Sequence, residues 1–217
     1  AIHDTCEKMM TDGLEQKAPF FQLKFKEILE NLPKDAKKDP KLVDSMEKQA
    51  PLILNEILPS MEEHFGDYEV LEAEEDLMEM IKDFPCDDKN KFKGFIDLVI
   101  KTPDNKIHII DWKTCSWGWD ARKKADPMIT YQLTFYKHFW AKKHNVDPKM
   151  IETHFALLKR TAKNNRVEIF RVTSGPRKTE NALKFLEKAI YNIERKNFIK
   201  NRLACGKCEF HKTEHCP

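Results

Sequence analysis

Two apolar runs, Phe95-Ile-Asp-Leu-Val-Ile and Ile109-Ile-Asp-Trp-Lys-Thr, constrain this chain most, because each carries charge inside what reads as a strand. Charge placed in an apolar strand is costly unless it is paired or put to use. The turn-rich Thr102-Pro-Asp-Asn-Lys between them predicts a hairpin of Lys91–Lys101 with Ile107–Thr114. Fourteen residues separate Asp97 from Asp111, which suits neighbouring antiparallel strands. Asp111 and Lys113 are two apart, so their side chains emerge on one sheet face. Carboxylate oxygens suit Mg²⁺ or Mn²⁺, and the Trp112 carbonyl between the two side chains offers a further ligand. Lys113 is placed to orient an attacking water and to stabilise charge on a phosphate. Together these groups are the minimum kit for holding a divalent cation beside a phosphodiester. An isolated Asp-x-Lys is more often solvated charge on a half-exposed strand. The neighbours weigh against that reading: Gln132 and Tyr136, four apart on the next helix, share a face.

Around the hairpin, the periodicity gives the order helices, three strands, helix, two strands, helix. Phe21, Phe25, Ile28, Leu29 and Leu32, then Leu52, Ile53, Ile57 and Met61, recur at helical spacing. Pro33, Pro40, Pro51 and Pro59 are expected to break residues 1–66 into short or kinked helices. Tyr68–Glu75 reads as a strand, and Met128–Lys143 as an amphipathic helix opened by Asp126-Pro127. Ile151–Arg160 and Arg166–Thr173 read as strands. Pro176–Lys200 reads as a helix with Leu183, Leu186, Ile190 and Ile193 on one face. The expected organisation is one domain over 1–217: a helical lobe (1–66), a core (67–200) and a Cys-rich tail (201–217). Its 217 residues, 41% hydrophobic and 34% charged, are enough for a real core and argue against disorder. No run is long and apolar enough for a membrane span, and no signal peptide is evident. The start lacks a methionine and reads like the middle of a helix, so upstream residues are expected. A net charge of +2 means that any nucleic-acid surface must be local.

Gly94-Phe-Ile-Asp97, Asp111-Trp-Lys113 and Gln132-Leu-Thr-Phe-Tyr136 resemble the G-x-x-D, (D/E)-x-K and Q-x-x-x-Y motifs of RecB-like PD-(D/E)XK nucleases. Asp111 stands where glutamate is commoner in that family. The resemblance extends to Ala1-Ile-His3, which implies that His3 is a metal ligand. Val70-Leu-Glu-Ala-Glu74 resembles the strand bearing a further acidic residue, with Glu74 preferred to Glu72. It implies a mixed α/β fold of the restriction-endonuclease-like type, a central sheet flanked by helices. The implied catalytic set is Asp97, Asp111, Lys113, Gln132, Tyr136 and Glu74. His3, Asp97, Asp111 and Trp112 would hold Mg²⁺ or Mn²⁺.

Of six cysteines, Cys205, Cys208 and Cys216 crowd the tail as C-x2-C-x7-C, whereas Cys86 and Cys115 read as ordinary residues. Such crowding suggests metal or cluster binding more than disulfides. His211 or His215 would complete a zinc site; a 4Fe-4S cluster needs a fourth cysteine. The tail resembles the iron–sulfur subgroup of the family, which includes AddB-type and CRISPR-associated fourth-family nucleases. That subgroup places one cysteine before the histidine motif; Cys6, just after His3, is the nearby candidate. Trp117, Trp119, Arg122 and Lys123 follow the hairpin, and Lys159 and Arg160 end a later strand. Rings that stack bases and cations that neutralise phosphates would grip single-stranded DNA.

The resulting expectation is a Mg²⁺/Mn²⁺-dependent DNA exonuclease acting on single strands or duplex ends, in an intracellular, cytoplasmic setting of bacterial or viral origin. No helicase motif is present, so an unwinding or recombination partner would be a separate chain. The rival readings are a non-catalytic DNA-binding or assembly module and a zinc-binding protein.

Overall fold

The computed structural model describes residues 1–33, 36, 38–197, 202–214 and 216. Three helices come first: α1 (Ile2–Thr11), α2 (Lys17–Glu30) and α3 (Pro40–Phe65). Strands β1 (Glu69–Met80), β2 (Lys91–Lys101) and β3 (Ile107–Cys115) follow, then α4 (Ala121–Ala125) and α5 (Pro127–His144). β4 (Ile151–Lys159), β5 (Val167–Arg171) and α6 (Pro176–Glu194) complete the main elements. The five strands form one mixed sheet in the order β1-β2-β3-β4-β5. Only β3 and β4 are parallel, joined by the crossover through α4 and α5.

The sheet separates two cores. Ile109, Leu133, Phe139, Trp140, Phe155 and Leu157 pack on the α5 side. Cys6, Ile53, Leu54, Ile57, Met61, Ile110, Trp112 and Leu158 pack on the side of α1 and α3. Asp126 caps α5 by accepting from the Met128 amide, with Pro127 in the first turn, as the sequence predicts.

Several boundaries differ from expectation. Pro51 and Pro59 do not break α3, which runs unbroken for 26 residues. Each internal proline costs a helix about 3 kcal/mol. Ala50, Ile53, Leu54, Ile57 and Met61, all buried along one face, outweigh that cost. α5 is not one-sided: Thr130, Leu133, Thr134, Tyr136, Phe139, Trp140 and Ala141 are all buried, because the helix lies between the sheet and α6. β1 runs five residues beyond Glu75. α6 ends at Glu194 and buries Ala182 and Ile190, while Ile193 is exposed; residues 198–200 lie outside the described ones.

β1 and β2 change face at the same level. Ala73 and Leu98 join the α1/α3 core, whereas Leu77 and Ile96, of the same alternation, join the α5 core. Glu74 has φ +50, a left-handed conformation in mid-strand, and it lies between the pairs Ala73↔Leu98 and Glu75↔Ile96. The ribbon therefore turns over at Glu74 and, on the partner strand, Asp97. A non-glycine residue in this region costs on the order of 1–3 kcal/mol, a strain that clusters at functional sites.

Candidate active site

The hairpin pairing of β2 with β3 ends at Leu98↔Ile110. Beyond it the Asp97 side chain takes the place of a backbone partner: its Oδ2 accepts from the Trp112 amide at 2.6 Å. A residue's N–H and C=O point to the same strand edge, so the Trp112 carbonyl also faces the gap where the strands part. Asp97 Oδ1 lies 3.4 Å from His3 Nδ1, which α1 delivers from its first turn. His3, Glu74 and Asp97 each bring a ligand atom within 4.8 Å of the others. The ribbon's turnover thus points Glu74 and Asp97 at the helix that carries His3.

Asp111 and Lys113 lie on the next strand, with Nζ 2.6 Å from Asp111 Oδ2. Lys113 also reaches over the Phe155 ring, 5.8 Å from its centroid. Asp111 is 2% exposed, and Lys113 is the partner of its Oδ2. Burial raises its carboxyl to about 6, reinforced by Asp97 and opposed by Lys113. Burial and then Asp97 raise Glu74 as well. His3 is raised by its bond to Asp97, with burial opposing and further help from the fields of Asp97, Asp111 and Glu74. Three carboxylates and an imidazole in a partly dry recess, with Lys113 against Asp111, form a donor set richer in carboxylate than in positive charge. That set fits an oxygen-preferring divalent cation. When bound, such an ion polarises a phosphate and makes water more acidic. Lys113 stands next to Asp111, where it would neutralise charge on a bound phosphate.

Gln132 Nε2 donates to the Tyr136 hydroxyl at 3.0 Å, so this pair binds one another on α5. Tyr136 is buried, and burial raises its phenol above the ordinary value. Its ring explains Gly94, a residue whose role the sequence alone left without physical content. A Cβ at Gly94 would stand 2.6 Å from Tyr136 Cε1, so only glycine lets α5 approach β2 this closely.

The expected DNA-binding residues divide. Trp117 is 68% exposed in the loop after β3, and Arg122 and Lys123 are exposed on α4. Trp119 instead turns inward against Phe155 and Phe170, with Lys123 over its ring at 4.6 Å. Lys159 is 13% exposed and bonds Glu168 Oε2 at 3.2 Å; Lys124 shares that carboxylate. Trp119 and Lys159 are therefore internal braces rather than an open face: the Trp119 ring packs on apolar partners and Lys159 pairs with a carboxylate. Arg160 reaches Ser45 and Ser116 and ties the loop after β3 to α3.

The tail cysteines are free thiols: Cys205 lies in a 3₁₀ turn (Arg202–Lys207), Cys208 is exposed, and Cys216 is half-buried. Cys6 is fully buried in the α1/α3 core, where burial pushes its metal-free thiol far above the ordinary value. His211 is exposed, and His215 lies outside the described residues.

The family model of the PD-(D/E)XK nuclease superfamily matches residues 1–216. Among solved structures, the chain resembles a protein from Eubacterium rectale provisionally assigned as an exonuclease. The TM-score is 0.54 at 13% identity, covering 96% of this chain and 71% of that one. The structure of SSO0001 is also similar, with TM-score 0.43, 15% identity and coverage of 96% and 82%, a likeness too weak to bear on the fold. No curated protein matches. The five-stranded mixed sheet flanked by helices is the restriction-endonuclease-like fold, and with the family model spanning almost its whole length, this chain belongs to the PD-(D/E)XK nuclease superfamily.

Proposed function

We propose that this protein is a Mg²⁺- or Mn²⁺-dependent DNA nuclease of the RecB-like branch, acting as an exonuclease on single strands or duplex ends. The observation that carries the reading is the convergence of His3, Glu74 and Asp97 beside a buried Asp111 paired with Lys113. His3, Asp97, Asp111 and the Trp112 carbonyl would hold the cation, with Glu74 beside them. Lys113 orients the attacking water and the phosphate; Gln132 and Tyr136 brace α5 against β2. The exonuclease assigned in Eubacterium rectale agrees with this mode. Trp117, Arg122 and Lys123 supply the strand contacts, and no helix among the described residues is long and apolar enough to cross a membrane.

The test is degradation of end-labelled single- and double-stranded DNA with Mg²⁺ or Mn²⁺, with chelator as control. Asp97→Ala and Lys113→Ala are expected to lose at least about 100-fold in rate, the scale of one electrostatic contributor. Unchanged degradation by either pure variant would overturn the assignment. Cys205, Cys208 and Cys216 are proposed to hold a 4Fe-4S cluster with Cys6 or a histidine as the fourth ligand, on the strength of their C-x2-C-x7-C spacing. Broad absorbance near about 400 nm supports the cluster; a colourless protein with zinc on these thiols refutes it.

A further inference from the structure

A second group of ligand-type side chains lies on the opposite face of the sheet from Asp111. His108 and His154 are 7% and 3% exposed, and Glu152 is half-buried beside them. Each offers a ligand atom within 4.8 Å of the others. The strand pairing builds the group: parallel β3 and β4 set His108 opposite Glu152 and Ile110 opposite His154. α3 closes over it, with His64 and Phe65 ring centroids 5.4 and 5.0 Å from that of His154.

The hydrogen bonds fix the ring of His108. The Thr102 hydroxyl donates to Asp104 Oδ1 at 2.5 Å, so it can only accept from His108 Nε2, 3.1 Å away. His108 therefore carries its proton on Nε2, and the Nδ1 lone pair faces His154 Nε2 at 3.1 Å. A ligand imidazole anchored through its other nitrogen is the usual outer-shell arrangement of a metal-bound histidine. Two nitrogens on one tetrahedral zinc, each at about 2.0–2.1 Å, stand roughly 3.3 Å apart, close to the observed spacing. The 3.1 Å gap between the two neutral rings holds one proton, which an ion bound to both nitrogens would displace. Glu152 is positioned by Lys106 and Arg171, at 3.3 and 3.2 Å, both on Oε1.

We propose that His108 Nδ1, His154 Nε2 and a Glu152 carboxylate oxygen form a binding site for a zinc-class divalent ion. The site would pin the start of β3 to β4 beneath the end of α3. Imidazole with carboxylate selects this class of ion over magnesium, so the site differs in metal as well as in place from the nuclease centre. It is independent of the nuclease reading.

The test loads the full-length chain with Zn²⁺, removes excess ion, and compares zinc per chain and zinc affinity with those of three variants. His108→Gln and Glu152→Gln are expected to hold one zinc fewer than the parent chain. Thr102→Val, which frees the His108 ring, should bind that ion about tenfold more weakly. Circular dichroism reports whether each variant folds; Glu152→Gln, the least buried of the group, keeps the test open if His108→Gln does not. Equal zinc content and affinity in the parent, Glu152→Gln and Thr102→Val would overturn the site.

Discussion

Burial raises the Asp111 carboxyl to about 6, whereas an unfolded aspartate titrates near about 3.9. Between about pH 4 and about pH 6 Asp111 therefore binds a proton more tightly in the metal-free fold than in the unfolded chain. Ionised Asp111 costs nothing below that window, costs more as the pH rises through it, and costs its full amount above. Asp111→Asn in chelator is expected to gain on the order of 1–3 kcal/mol at about pH 7 and little at about pH 4, while losing nuclease activity. Denaturant unfolding at the two pH values measures this; an unchanged or lower stability at neutral pH would refute it. Gly94 and Glu74 carry the same lesson, since each departs from ordinary strand chemistry and each borders the site. The motif Asp111-x-Lys113 was legible in the sequence because two-residue spacing fixes a shared face. The strain at Glu74 was not, because glutamate, unlike glycine or asparagine, does not signal a left-handed φ.

Among the elements, the loop from β3 into α4 holds two tryptophans with opposite duties. Trp117 is open, and Trp119 packs on Phe155 and Phe170. Trp117→Ala is expected to weaken single-stranded DNA binding by about 1–3 kcal/mol and to leave the unfolding temperature unchanged. Trp119→Ala should instead destabilise the fold by roughly 3–5 kcal/mol. Fluorescence-based binding and thermal unfolding separate them; loss of stability in the Trp117 variant would reverse the roles. Sequence placed both rings in one loop but gave no means to tell them apart, because loop residues lack a periodicity that marks the inward side. α3 shows the converse. Its prolines are local signals for breaks, and the long apolar face that overrides them counts only once the sheet is there to receive it.

At the scale of the molecule, buried paired groups tie the layers together. Burial lowers His64, His108 and His138, and takes His154 to about 3. These rings are neutral in the fold, and the unfolded chain takes up their protons as the pH drops below about 6.5, so stability falls with it. Glu75, Asp83 and Glu168 are pushed up by burial but held below their ordinary values. Glu75 is held by Lys143, His144 and Trp140, Asp83 by Lys142 and His138, and Glu168 by Lys124 and Lys159. Their contribution is whole above the usual carboxylate range and drains away as acid titrates through their lower folded values. The unfolding temperature is therefore expected to fall between about pH 7 and about pH 5. The fall should be steeper in Asp111→Asn, which lacks the one strongly raised carboxyl acting the other way. A flat profile across that range would contradict this account.

The sequence by itself determined the order of elements and the hairpin, because periodicity and turn chemistry act over a few neighbours; the line of residues from His3 to Tyr136 rests on the resemblance of its motifs to those of the family. Only the tertiary structure decided which faces those residues share with distant ones. It closed Cys6 into the core, turned Trp119 and Lys159 inward, fitted Tyr136 against Gly94, and set β3 parallel to β4 so that His108, Glu152 and His154 meet. Each of these depends on which segment packs opposite, and that choice belongs to the whole chain rather than to any stretch of it.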